Sequence, residues 1–390
     1  MNEAVKDGYL VKNGKLLDDT PMVRGHLADY LKEKTQSGLA LVGYKDPSKS
    51  IGVPVYALQA VDLLLANGFD VAQTGECLLP ELSLMARRLS ASACYVEDNS
   101  YTFLTTTGSY VEGTFSIKRL ERRKRGKTMR LDVQREYIRH LRRETAADKL
   151  GSIFLALGGL EDAKLFSLLS QIITFKGLWR VRSDGDISIN TVGESVLRLR
   201  ADLGLKLNSL GTKAEFVADT GEVLKVEVVA ALIARYLKEQ GSLKSVARAW
   251  DRSRFFDRVA ERAGLDVEKE ADFFVGDEII YRPHLGVGDG LWLGLLLAEI
   301  VAVTKRPLSE LISEMIKVVG ARESSKLTLE RNDLERFLRR LSGKTYSIAE
   351  KGELQLDDDI VTWQMANQNL YSVFLDGEPS RLHSWQEMLP

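Results

Sequence analysis

Asp277 and Glu278 are adjacent carboxyl groups, and His284 and Asp289 follow them closely. Two carboxyls can divide the work of a general acid and a general base when placed beside a reacting group. The plainer reading is a solvated acidic turn ahead of the strand-like Ile279-Ile280-Tyr281, and it is the favoured one. His284 is either a ligand contact or a histidine that packs and hydrogen-bonds structurally; the second is again favoured. His26, His140 and His383 show no metal-ligand spacing, and Cys77 and Cys94 form no C-x-x-C pair. A cysteine-rich metal site or a disulfide framework is therefore not expected, which fits a reducing compartment.

The densest charge feature is Lys118, Arg119, Arg122, Arg123, Lys124, Arg125, Lys127 and Arg130, continued by Arg135, Arg139, Arg142 and Arg143. Such a run can neutralise several phosphates of a polyanion or dock an acidic partner. Glu121, Asp132, Glu136 and Glu144 compensate part of it, so a solvated helix laced with ion pairs is the stronger reading. The chain as a whole carries a net charge of −1, and any attraction to a polyanion has to be local.

At 390 residues and 44% hydrophobic composition, the chain can bury more than one core, and length alone suggests two to four domains. Its first residues have no apolar stretch of a secretion signal. The greasiest run, Leu291–Val303, contains Gly294 and Glu299 and is too short to span a bilayer. The expectation is a soluble, cytoplasmic protein without membrane insertion.

Apolar periodicity predicts alternation: strand Leu39–Val42, helix Ala57–Asn67, strand Phe69–Gln73, helix Glu81–Leu89, and a small-residue strand at Ser90–Cys94. An apolar strand around Gly151–Gly159 precedes helix Ala163–Ile173. Helix Glu194–Arg200 then leads into strand Leu203–Leu207. Lys225–Gln240 and Arg252–Ala263 read as amphipathic helices stopped by Gly241 and Gly264, and Leu291–Thr304 as an apolar helix stopped by Arg306-Pro307. From about Lys326 the pattern changes to short strands and a charged helix, Asp333–Leu341.

The stretch Ala201-Asp-Leu-Gly-Leu-Lys-Leu-Asn-Ser-Leu-Gly-Thr-Lys213, running into a strand and an Asp219-Thr-Gly-Glu222 turn, resembles the metal loop of the third domain of the α-D-phosphohexomutases. Other segments agree. Leu39–Asp46 is similar to the family's first strand, Gly68–Gly75 to its G-x-D-V-x-x-x-G strand, Leu79-Pro80-Glu81-Leu82 to the helix start that follows, and Tyr281–Gly290 to its P-E-H-x-x-G-R-D-G segment. The resemblance implies an α/β protein of three mixed α/β domains, at 1–127, 128–202 and 203–325, followed by a smaller α+β domain at 326–390.

What the resemblance implies for chemistry is loss. The three metal aspartates fall on Asn208, Leu210 and Thr212, with Lys213 in place of an arginine. A hard divalent cation wants carboxylate oxygens, and an amide, an alkyl chain and a hydroxyl supply none of that charge. The phosphoserine falls on Ser100, or on Ser109 in a rival alignment, and neither has the family's His-Asn-Pro neighbours. The sugar loop retains His284, Asp289 and Gly290 but not its paired glutamates. The phosphate loop falls on Gln364–Leu370, where Gln364, Asn367 and Asn369 offer no arginine clamp. The expected function is that of a catalytically inactive relative without metal or cofactor, acting as a binding, scaffolding or regulatory protein. Its expected partner is an active homologue or an enzyme of sugar-nucleotide or cell-envelope synthesis, with self-association a further expectation. Two alternatives stay open: a phosphosugar-binding or phosphoryl-transfer enzyme using Lys213, Asp277, Glu278, His284 and Asp289, and a polyanion-binding module built on 118–143.

Overall fold

The computed structural model describes residues 9–12, 15–16, 28, 38–45, 52–97, 100–115, 124–160, 162–182, 187–249, 255–268, 270–319, 324–329, 352–357, 360–365 and 370–374. The chain divides into two compact units, one of residues 1–224 with 277–309 and one of 225–276 with 310–390.

In the first unit, Leu39–Lys45 (β3), Asp70–Glu76 (β4) and Ser92–Glu97 (β5) form parallel strands separated by helices Gly52–Ala66 (α1) and Leu79–Leu89 (α2). Thr128–Arg130 (β8) adds a fourth parallel strand beside β4. Tyr9–Lys12 (β1), Lys15–Leu16 (β2), Ser100–Leu104 (β6) and Gly113–Phe115 (β7) extend the sheet with antiparallel pairs, in the order β7-β1-β2-β6-β5-β3-β4-β8. α2 has Pro80 in its first turn, where a missing N–H costs nothing, and ends on Ser90 in the left-handed region.

A second sheet has the order β10-β9-β11-β12-β13, from Phe154–Gly158 (β9), Gly177–Arg180 (β10), Leu203–Leu207 (β11), Ala214–Ala218 (β12) and Val223–Leu224 (β13). Helix Gln134–Glu144 (α3) leads through a 3₁₀ turn at Ala147–Ser152 into β9. Ala163–Ile172 (α4) follows, capped by the Asp162 carboxylate, and then Ile189–Leu199 (α5), capped by the Ser188 hydroxyl. This helix starts five residues before the predicted Glu194, because Ser188 satisfies the Thr191 N–H and the turn before Glu194 is thereby helical. Helix Gly290–Thr304 (α8), buried along most of its length, lies against β11 and β12.

β9 pairs in parallel with β11, so strands on either side of position 202/203 lie in one sheet. Local periodicity could not show this pairing, because α4, β10 and α5 intervene in the chain.

The second unit contains Val226–Glu239 (α6), Ser245–Arg248 (β14), Phe255–Arg262 (α7), Asp266–Val267 (β15), Phe273–Val275 (β16) and Leu308–Val319 (α9), the last from Glu310 onward. β14 pairs in parallel with both β15 and β16, and α6 packs on α7. Strands Ser324–Leu329 (β18), Gly352–Asp357 (β19), Ile360–Met365 (β20) and Leu370–Phe374 (β21) form an antiparallel meander. Ile279–Tyr281 (β17) belongs to the first unit. The predicted helix Asp333–Leu341 lies outside the described residues. Among the described residues, no helix is long and apolar enough to cross a membrane.

Candidate functional site

The loop 208–213 sits between β11 and β12, where Leu207 pairs with Ala214. Its polar groups turn on one another. The Asn208 amide nitrogen lies 3.3 Å from the Thr212 hydroxyl, the Asn208 amide oxygen accepts from the Lys213 N–H at 2.9 Å, and the Gly211 N–H donates to the Asn208 carbonyl. Thr212 is fully buried, Asn208 and Leu210 are half-buried, and Lys213 is exposed. The backbone of the loop is engaged by its surroundings: the Leu210 carbonyl accepts from the Leu79 N–H, at the start of α2, and the Gly211 carbonyl accepts from the Gly290 N–H, at the start of α8. Two helix N-termini, each rich in unpaired donors, are thus directed at this loop's own carbonyls.

Neighbouring loops close on it through glycines. A Cβ on Gly286 would run into Ser109, one on Gly288 into the Thr212 carbonyl and Glu278, and one on Gly290 into the Lys213 carbonyl. Only a residue without a side chain permits these backbone approaches. Ser109 is therefore packed beneath Gly286, with its hydroxyl beside that of Thr107 at 3.3 Å. Ser100 is the first residue of β6, paired with Glu97 of β5, and its hydroxyl donates to the Glu97 carbonyl at 3.0 Å. Among the described residues, neither serine is hydrogen-bonded to a basic side chain.

Asp277 and Glu278 do different things. Asp277 is exposed, whereas Glu278 accepts from the Tyr110 hydroxyl at 2.9 Å and from the Gly288 N–H at 3.0 Å. Burial and the Glu278 carboxylate push the Tyr110 phenol up, so it stays protonated and donates.

His284 and Asp289 are brought together: imidazole Nε2 lies 2.9 Å from a carboxylate oxygen, and both residues are buried. The other Asp289 oxygen accepts from the Tyr137 hydroxyl at 2.8 Å and caps α8 through the Trp292 N–H at 3.0 Å. His284 is stacked between His140 and Trp292, with ring centroids 5.1 and 4.3 Å away, and Tyr281 continues the stack beyond Trp292. Arg87 donates to the carbonyls of Pro283 and His284. Burial, followed by His284 and Arg88, holds the His140 imidazole down at about 4.

Sequence reasoning missed the group behind this stack. Glu81 is fully buried on α2, and neither of its carboxyl oxygens has a hydrogen-bond partner among the described residues. Burial, then the Asp162 carboxylate, pushes its pKa well above the usual range, so it is held neutral. Gln134 donates to Asp162 while its own buried oxygen lacks a partner among the described residues. At the carboxyl ends of β3, β4 and β5, Lys45 pairs with Glu76 at 2.8 Å, and Glu97 accepts from the Ser209 hydroxyl at 2.6 Å. The sequence signal was present in Glu81, a carboxylate in the first turn of a helix whose other face is apolar.

The basic segment is described in part. Lys118, Arg119, Arg122 and Arg123 lie outside the described residues, as do Asn367 and Asn369; Gln364 lies in β20. Arg125 pairs with Asp62, Arg139 with Glu136, and Arg142 with Asp148, while Glu136 also takes Arg88. Lys124, Lys127 and Arg130 are exposed. Among the described residues, no group of three or more histidine, cysteine, aspartate or glutamate side chains is arranged to hold a metal.

No family model matches the chain. It is 30% identical over 172 residues to a phosphoglucosamine mutase of Bacillus cytotoxicus, covering 38% of each chain, and 28% identical over 179 residues to one of Bacillus cereus, covering 40% of each. The chain thus aligns with about two fifths of the length of these relatives. Its fold matches a Thermus thermophilus protein provisionally described as a phosphomannomutase, with a TM-score of 0.68 at 16% identity over 98% of both chains. It also matches parafusin, a phosphoglucomutase of Paramecium, with a TM-score of 0.64 at 12% identity over 95% of this chain and 91% of that one. The chain is thus similar over part of its length to phosphoglucosamine mutases, and over nearly all of it shares the fold of these solved mutase structures.

Proposed function

We propose that this chain is a phosphohexomutase-like protein that no longer interconverts sugar phosphates and works by binding, as a scaffold or regulator of an active mutase or of an enzyme of sugar-nucleotide synthesis. One observation carries the reading. At the positions aligned with the metal loop, Asn208 and Thr212 bond to each other and the backbone carbonyls are taken by Leu79 and Gly290. Phosphoryl transfer is catalysed almost entirely by placement and electrostatic stabilisation, and a loop without carboxylates whose polar atoms hold neighbouring elements together supplies neither. Ser100 and Ser109 are both engaged by nearby backbone or hydroxyl groups rather than by a base.

The test incubates the purified full chain with glucosamine, glucose and mannose phosphates, magnesium and a sugar bisphosphate, followed by phosphorus NMR. No interconversion and no phosphorylated serine by intact mass is the expected result, together with an altered rate when the chain is added to an active phosphoglucosamine mutase. Turnover by this chain alone, or phosphate on Ser100 or Ser109, would overturn the inactive reading. Absence of any effect on, or binding to, the active enzyme would overturn that choice of partner.

A further inference from the structure

Among the described residues, three positions other than glycine have a positive φ: Ser90, Arg200 and Lys305. Two of them line one cavity. Arg200 closes α5 at φ 52° and Lys305 closes α8 at φ 56°, in the left-handed region where the Cβ of an L-residue is crowded and glycine is the usual occupant. A cation at a helix C-terminus is favourable in itself. Arg198, in the last turn of α5, already supplies that charge from helical backbone, so the dipole does not require Arg200 to adopt the crowded conformation.

The cavity measures about 600 Å³, within the range of small-molecule sites. Ile153, Leu197, Val301 and Pro307 give it apolar surface, and Leu197 is 57% exposed. Its charged lining is Arg200, Lys305 and Arg306 with Asp202 and Asp219. Both aspartates are committed to the fold: Asp202 accepts from the Phe154 N–H at 2.7 Å, and the two oxygens of Asp219 accept from the N–H and the hydroxyl of Ser309 at 2.9 Å each. Arg306 already has a partner. The exposed side chains of Arg200 and Lys305 have none among the described residues, and every lining residue lies within the described stretches 124–160, 187–249 and 270–319. The helix ends do not need them either. The carbonyls of Val196 and Leu197 accept from the Ala201 and Arg200 N–H groups, that of Val301 from the Lys305 N–H, and that of Ile300 from the Thr304 hydroxyl.

This cavity stands apart from loop 208–213. Residues 200–202 precede β11 and the loop follows it, while α8 begins beside the loop at Gly290 and ends at Lys305, so roughly 20 Å of helix separates the two. We infer that the cavity binds a phosphomonoester, its dianion held by Arg200 and Lys305 and its carbon body against Leu197 and Val301. Two cations without partners match two negative charges, and the apolar wall leaves room for more than a bare ion. The inference stands whether or not the chain turns over sugar phosphates, since the loop aligned with catalysis is at the other end of β11.

The experiment is isothermal titration calorimetry of the full chain with glucose 6-phosphate, inorganic phosphate and glucose. Glucose 6-phosphate should bind with a Kd of about 1 mM or tighter, more weakly as salt rises, and glucose should not bind. Arg200→Gly and Lys305→Gly should each weaken binding by about tenfold while the melting temperature stays at or above that of the parent, because glycine relieves the left-handed backbone. Inorganic phosphate bound by the parent and lost in the same variants would support the dianion as the recognised group. No binding of either phosphate up to about 10 mM, or equal binding of glucose, would overturn the proposal, and this comparison needs no variant. So would variants that bind as the parent does: a lowered melting temperature with binding intact would show that the two cations serve only their helix ends. Glucose 6-phosphate binding that neither variant weakens would place the ligand elsewhere, and only turnover would then bear on the inactive reading.

Discussion

Two polar regions of the first unit lie close together and are built in opposite ways. Loop 208–213 has no buried charge, and its polar atoms pair within the loop, with the ends of α2 and α8, or, through the Ser209 hydroxyl, with Glu97. The interior behind it holds Glu81, Gln134, Tyr137, His140, His284 and Asp289, and four of these have buried polar atoms without a hydrogen-bond partner among the described residues: Glu81, Gln134, His140 and His284. Buried polar groups are normally satisfied, and an unmade bond costs about 1–3 kcal/mol. The loop's own polar groups are thus satisfied, while unmade hydrogen bonds gather deeper, on buried atoms of these four side chains.

The comparison is broken most severely at Asp289. Its carboxylate holds the Tyr137 hydroxyl, the His284 imidazole and the Trp292 N–H in the first turn of α8. Asp289→Ala leaves all three facing a void, and the expected loss is about 3–5 kcal/mol of unfolding free energy, measured by urea denaturation. A loss under about 1 kcal/mol would mean the cluster does not support the fold.

Thr212→Asp returns a carboxylate to the aligned metal position, but at a fully buried site. It should destabilise the chain by about 2–4 kcal/mol and leave sugar phosphates unconverted. Leu210→Asp, at a half-buried position, should cost about 1 kcal/mol or less. A combined Asn208→Asp, Leu210→Asp and Thr212→Asp variant whose melting temperature rises with magnesium would show that the loop still has the geometry of a cation site, against the reading of it as structure.

The contrast also separates what the sequence shows from what it hides. β3, β9 and β11 are short apolar runs between turn residues, and α8 is a long one, so all were legible. The four-residue β10 and the antiparallel strands β1, β2 and β7 were not, because they are too short to display a period. The 208–213 loop was legible through its flanks. The Tyr137–Asp289 bond joins residues 152 positions apart, and no local pattern announces it. Glu81 reads from the sequence as a favourable acidic residue in a first helical turn; that it is sealed between Asp162 and the rest of the cluster depends on tertiary packing alone.

Glu81→Met tests that sealing. The Glu81 carboxyl has a raised pKa in the folded chain, so the folded state binds more protons than the unfolded state above the ordinary glutamate value of 4.5. Its contribution is therefore least unfavourable in acid and worsens as pH rises through 4.5. Methionine has a similar volume and no charge. The variant should be more stable than the parent by about 1–3 kcal/mol at pH 7, and the advantage should shrink as pH falls toward 4. Urea midpoints at pH 4, 5.5 and 7 would check it, and a variant less stable than the parent at pH 7 would mean that Glu81 has a partner it needs.

The smallest effect is expected at His140, where the sign is reversed. This imidazole is held down at about 4 by burial, by His284 stacked upon it and by Arg88 and Arg87, with Asp289 opposing them. Glu144, one turn on along α3, is 3.8 Å from its Nδ1. Between 6.5 and about 4 the unfolded chain binds a proton that the folded chain refuses, so this residue's share of stability is present above 6.5 and is lost as pH falls through that window. His140→Phe keeps the stack on His284 and removes the titration. Its melting temperature relative to the parent should therefore rise steadily from pH 6.5 to 4, and a difference that stays flat across that range would place the proton elsewhere in the cluster.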